Sequence, residues 1–343
     1  METHAQTTDV RTHLQRGAML HVGGDLDGAC REYQAAIDVD ANAAVAWNNL
    51  GFARAQQGRL DEAVRLYERA LEIDPGRSMA HANLGLAHVA RGDVDAAFGQ
   101  LRRAVEIDPR NTLALGNLGR LLLASGQLDA AEDAFRAALD LSPRDADLRV
   151  ALGTTLAARG RLRDAAAEIR QALDDSPDHP RAWAQLGIVL LVSHDLGSSC
   201  DALRRALALV PEDCSTRHHL ATALLARGQR VAAEQELNRI LCFDPKNVAA
   251  LVDLAVLALA RGDGGTALEL LDRARPSEES PRVLFYRAMA LGTEGRQEEA
   301  EALLGRLAAD PTEKTEKTEK YEKLAMRELA RRRAQGRSIS GTQ

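Results

Sequence analysis

Residues Ala46–Pro75 read "AWNNLGFARAQQGRLDEAVRLYERALEIDP", two apolar-periodic segments separated at Gly58 and closed by Pro75. In both segments apolar residues recur at three- and four-residue intervals, the spacing of one face of a helix. A glycine between such segments can take the left-handed conformation that ends the first helix. The proline stops the second, so this stretch predicts a helix–turn–helix. Its tail "NNLG" returns as "ANLG" at Ala82–Gly85 and "GNLG" at Gly116–Gly119, each 34 residues on.

Counting outward from this stretch, repeats begin at Val10, Ala44, Ser78, Thr112, Ala146, Pro180, Cys214, Val248 and Pro281. Their expected spans are 10–43, 44–77, 78–111, 112–145, 146–179, 180–213, 214–247, 248–280 and 281–311, the eighth being one residue short. The eighth place of a repeat is Gly from Gly17 to Gly187, then Ala221, Ala255 and Ala288. The fifteenth is Gly in every repeat except the sixth, where His194 stands. The twentieth is Ala except at Ser199, and a late proline recurs from Pro75 to Pro245. Small residues at the eighth and twentieth places let two helices approach closely, while Trp47, Leu50, Tyr67 and Leu71 fill the surrounding space. Asn111, Asp145, Asp213 and Asn247 follow the prolines and suit the next helix N-cap. His tolerates a left-handed turn better than most residues, so the helical pair should survive around His194.

The W-x2-L-G, G, A, Y and P spacing of the second repeat resembles the tetratricopeptide repeat, and the resemblance runs from Val10 to about Pro311. It implies an all-α, right-handed α-solenoid (superhelix) of about nine helix–turn–helix repeats with a C-terminal capping helix. It also implies a concave groove lined mainly by first helices, and a non-catalytic scaffold or adaptor that binds other proteins. Residues 1–9 and 336–343 are expected to be disordered, and 312–335 to form the charged cap. In that cap Glu313–Lys317 and Glu316–Lys320 are favourable i,i+4 pairs. Tyr321, Leu324, Ala325 and Leu329 form its apolar stripe, and Arg331–Arg333 cluster near its end.

Composition agrees with a folded α protein: 45% hydrophobic and 27% charged residues, with only 3% aromatic. A net charge of −6 gives no global pull toward nucleic acid. The apolar run "LGIVLLV", Leu186–Val192, is too short to span a bilayer, and "METHAQTTDV" lacks the layout of a signal peptide. Four cysteines without a CxxC pair read as reduced thiols, so a cytoplasmic protein without membrane attachment is expected.

No phosphate loop, HExxH, GxSxG or Rossmann fingerprint occurs, so neither a catalytic site nor a cofactor is expected. Cys214 and His218, four apart on one helix, with neighbouring His219, are the nearest approach to a metal cluster; third and fourth ligands are not evident.

At 100° per residue, the fourth, seventh, eighth and eleventh places of a first helix form the packing side. The second, sixth, ninth and thirteenth point the other way, toward the implied groove. Asn49, Asn83 and Asn117 occupy the sixth place, with Gln15, Gln185 and His219 at the same place elsewhere. An amide can both donate to and accept from a peptide bond. The row therefore reads either as family consensus or as an asparagine ladder resembling that of O-linked N-acetylglucosamine transferases. Asn48, Phe52, Val45, Met79, Leu86, Val89, Leu113 and Leu123 lie on or beside the same face, with Phe52 the best single anchor. Arg11, Arg120, Arg181 and Arg282 add positive charge compatible with an acidic group on a ligand. The expected partner is an extended or helical segment of another protein. Leu14, Asn48, Ala82 and Gly116 stand where chaperone-tail readers place Lys, which argues against Hsp70 or Hsp90 tails. The alternatives are a substrate-reading subunit or fragment of a glycosyltransferase, and an accessory factor for assembly or secretion complexes.

Overall fold

In a computed structural model the chain is all helical among the described residues, 2–274, 280–309 and 316–340. It divides into two compact bodies, Met1–Pro177 and Asp178–Gln343. The first holds α1 (Glu2–Val22), α2 (Leu26–Val39), α3 (Ala44–Gln56), α4 (Leu60–Ile73), α5 (Ser78–Arg91), α6 (Val94–Ile107), α7 (Thr112–Ala124), α8 (Leu128–Leu141), α9 (Ala146–Ala158) and α10 (Leu162–Asp175). The second holds α11 (Pro180–Val192), α12 (Leu196–Leu209), α13 (Cys214–Ala226), α14 (Arg230–Phe243), α15 (Val248–Leu259), α16 (Gly264–Arg273), α17 (Pro281–Thr293), α18 (Gln297–Ala309) and α19 (Glu316–Ser340). From α3 onward, each first helix begins on the first residue of a repeat as counted from sequence.

The turn at the fifteenth place has positive φ in every repeat, from Gly24 to Gly295, and His194 adopts it too at φ 63°. Asn111, Asp145, Asp213 and Asn247 each accept a hydrogen bond from the backbone N–H three residues on, as N-caps do. At the eighth place, a Cβ on Gly51 would lie 2.8 Å from the Tyr67 ring, so the glycine makes room for a buried aromatic. Where that place is Ala221, Ala255 or Ala288, the facing core residue is Leu237, Leu271 or Leu304. Leucine also faces the glycines Gly85 and Gly187, through Leu101 and Leu203, so the small residue sets the close approach whatever side chain fills it.

A second regularity appears only in three dimensions. The fourth place pairs with the twenty-third, on the second helix of the same repeat. In repeats one, three, five and seven the pair is polar: His13–Glu32 (2.7 Å), His81–Gln100 (2.7 Å), Arg149–Glu168 (3.1 Å) and Arg217–Glu236 (2.7 Å). In repeats two, four, six and eight it is apolar: Trp47/Leu66, Leu115/Ala134, Trp183/Ala202 and Leu251/Leu270. The position therefore alternates over repeats one to eight, and the ninth, with Leu284 and Leu303, stays apolar. The fourth place also anchors the preceding turn, because Trp47, Arg149 and Arg217 donate to the carbonyls of Ala41, Pro143 and Pro211.

The ends differ from expectation. α1 starts at Glu2, eight residues before the first repeat, because no proline or glycine interrupts residues 2–16 and a nucleated helix propagates through them. At the other end α19 continues to Ser340, through residues 336–340. The pair Glu313–Lys317, the pair Glu316–Lys320 and the side chains of Arg332 and Arg333 lie outside the described residues. α19 lies against α17 and α18, with Ala325 fully buried and Tyr321 and Leu329 packed on Leu304 and Leu307. It thus covers the apolar face that a further repeat would otherwise cover.

Candidate functional site

In the first body, successive first helices α3, α5, α7 and α9 touch one another along the stack, so their outward places form one continuous face. At the second place stand Val45, Met79 and Leu113, 37%, 47% and 38% exposed. Phe52, at the ninth place, is 41% exposed and stacks on His21 of α1, with ring centroids 5.1 Å apart and planes within 12°. Leu86 and Leu123 are half-buried, and Val89 is exposed. Arg120 and Arg11 are exposed at the same face. The structure therefore brings together the apolar residues picked out by helix angles.

The asparagines behave differently. Asn83 is buried, and its Nδ2 donates to Asn48 Oδ1 at 3.0 Å. Asn48 is buried as well, and its Nδ2 donates to Asn49 Oδ1 at 3.1 Å. Asn117 donates to the Leu113 carbonyl of its own helix at 2.7 Å. These residues do not form a row of free amides, and neither Asn48 nor Asn83 faces the groove. The physical reason is the stacking of repeats: the fifth place of one first helix meets the sixth place of the next. Asn48 can therefore partner Asn83, whereas Ala82 offers Asn117 nothing and Asn117 turns to its own backbone. A single-helix projection contains no neighbouring repeat and misses this contact.

The same fifth-to-sixth contact recurs in the second body as His218 with Asp253, 3.4 Å apart. Asp253 also accepts from Arg282, so Arg282 is tied down by its own neighbour and not held out for a ligand. His219 bonds the Ser215 carbonyl of its own helix at 2.8 Å, as Asn117 does with Leu113. Gln185 is half-buried on α11 of the second body, and Arg181 is exposed there. Among the described residues no group of three His, Cys, Asp or Glu side chains could hold a metal ion.

One charge cluster, centred on α8, is satisfied internally. Glu132 of α8 is buried and accepts from Arg136 at 2.8 Å, from Arg161 at 3.1 Å and from Arg159. Burial alone would raise its carboxyl, but the hydrogen bonds and charges of Arg136 and Arg159 outweigh it and leave the group below the ordinary glutamate range.

Family models match over nearly all of the chain. Those described as tetratricopeptide or TPR repeats match residues 17–58, 42–110, 82–146, 122–187 and 281–306. The chain is a tetratricopeptide repeat protein. Within this repeat family, residues 159–277 match the model described as the cytochrome c-type biogenesis protein H TPR domain. Among solved structures, Pseudomonas aeruginosa PilF is 25% identical with a TM-score of 0.53, over 62% of this chain and 96% of that one. A chain of the APC/C hetero-tetramer Cut9–Hcn1 is 16% identical with a TM-score of 0.58, over 86% of this chain and 55% of that one, a likeness of fold alone. No curated protein sequence matches significantly. No described helix is long and apolar enough to cross a membrane.

Proposed function

We propose that this tetratricopeptide repeat protein is a non-catalytic interaction scaffold that holds a segment of a partner protein on the α3–α5–α7 face. The observation that carries the reading is the contiguous row of exposed apolar side chains, Val45, Met79 and Leu113, beside Phe52. Apolar residues gathered on one face, and not scattered singly, mark a protein-binding surface. A cytoplasmic setting belongs to the same proposal, supported by four unpaired cysteines, two of them buried in the core.

The test is capture of proteins from lysate by the wild type and by Met79→Asp/Leu113→Asp. Arg103→Asp, on the exposed side of α6, serves as the control. Both altered apolar residues are more than one-third exposed, so the fold should persist, and far-UV circular dichroism checks it. Loss of retained proteins with the double variant alone is expected. An unchanged set of retained proteins refutes the groove.

The match of residues 159–277 to a cytochrome c biogenesis repeat domain supports a second, narrower reading, that of an accessory factor in the assembly of a protein complex.

A further inference from the structure

The groove reading above leaves open what kind of segment the face accepts, and the chemistry of the face narrows it. Helices α3, α5 and α7 contain no aspartate or glutamate along their whole length, whereas their partners α4, α6 and α8 carry acids from Asp61 to Asp140. Of the arginines on these first helices, Arg54 lies 3.5 Å from Glu62, and Arg91 pairs with Asp93 at 3.2 Å. Arg120 remains exposed at the ninth place, in line with Phe52 and Leu86. The acid-free strip ends at α9, whose second place is the exposed Asp147. The face is thus apolar with positive charge and has no negative side chain of its own.

Its amides are also largely spent. Asn48 and Asn83 are buried against each other, Asn49 accepts from Asn48, and the Asn117 N–H bonds its own helix. An extended segment laid on Val45, Met79 and Leu113 would bury backbone N–H and C=O groups against side chains that cannot bond them. Each unpaired group costs about 1–3 kcal/mol. A helix brings its backbone already satisfied and presents only side chains.

We propose that the occupant is a single amphipathic helix of the partner, with an apolar stripe flanked by acidic residues, crossing α3, α5 and α7 with its acids beside Arg120. The spacing agrees: packed helices lie about 8–10 Å apart. Residues seven apart on a helix are separated by about 10.5 Å. One apolar residue in every two turns then meets each first helix, so about 15–18 residues span the strip. The protein's own terminal helix is not this occupant, because its apolar stripe of Tyr321, Ala325 and Leu329 is already packed on Leu304 and Leu307.

This inference rests on the groove reading, and one experiment separates the two. A phage-displayed library of random 16-residue peptides is panned on the intact protein. Winners are then titrated as synthetic peptides against wild type, Met79→Asp and Arg120→Glu. Expected winners have apolar residues at three- and four-residue spacing and flanking Asp or Glu, and they become helical on binding by circular dichroism. Met79→Asp weakens them by at least tenfold. Arg120→Glu weakens them roughly tenfold and favours Lys-substituted versions. Winners that are proline-containing, alternating or basic, yet still lost with Met79→Asp, overturn the helical acidic occupant while keeping the groove. Winners indifferent to Met79→Asp, or no winners at all, overturn the inference; indifference also removes the support for the groove.

Discussion

Replacing Glu236 by Leu leaves Arg217 of α13 facing an apolar group. The Arg217 and Glu236 side chains are 8% and 13% exposed and 2.7 Å apart, so this is a buried pair spanning one repeat. Removing one member of such a pair costs about 3–5 kcal/mol, because the remaining charge stays desolvated. The next repeat solves the same position with Leu251 and Leu270. Arg217→Leu/Glu236→Leu therefore transplants a solution already used in this chain. The loss should then fall to about 1–3 kcal/mol, the cost of leaving the Pro211 carbonyl without the arginine donor. Arg217→Leu alone should be milder than Glu236→Leu, because Glu236 keeps Arg239 at 2.7 Å. The assay is urea unfolding followed by circular dichroism. Because long repeat arrays need not unfold in one step, hydrogen exchange of α13 and α14 amides supplies the local free energy. A coupling energy of about 2–4 kcal/mol is expected from the cycle. Strict additivity, or a loss below about 1 kcal/mol for Glu236→Leu, refutes the reasoning that the alternation exchanges one complete clamp for another.

Two further outcomes follow from the geometry. His194→Gly should stabilise the second body by up to about 1 kcal/mol, since a side chain in the left-handed region costs about 1–2 kcal/mol and glycine returns part of that gain as unfolded-state entropy; a raised urea midpoint checks it. Glu132 has its folded-state pKa lowered, so its contribution is present above the unfolded carboxylate value and is lost as pH falls through and below about 4. Glu132→Gln should accordingly lower stability near neutral pH by about 1–3 kcal/mol and flatten the acid limb of the stability–pH curve, which thermal melts across that range would show.

Legibility in the sequence followed the range of the interaction. Helix starts, the left-handed turns and four N-caps are local, each decided within a few residues, and Ala44, Gly58 and Asn111 could be placed from the chain alone. Exposure of Val45, Met79 and Leu113 was legible too, because one helix projection already separates the packing side from its opposite. The burial of Asn48 and Asn83 was not, because their contact joins residues 35 apart on two helices that only stacking brings together. A sequence signal existed in the concurrence of amides at the fifth place of one repeat and the sixth of the next. The alternation of polar and apolar clamps over repeats one to eight was likewise legible at the fourth and twenty-third places taken as a pair.

The chain by itself determined the repeat, its register and which side of each first helix stays apolar and free of acid, because a 34-residue period specifies secondary structure and its own partner helix. Tertiary structure alone decided which polar groups on that side remain available. A side chain at the edge of a repeat takes its partner from the neighbouring repeat, and whether Asn83 meets Asn48 or a ligand depends on where the next helix lies.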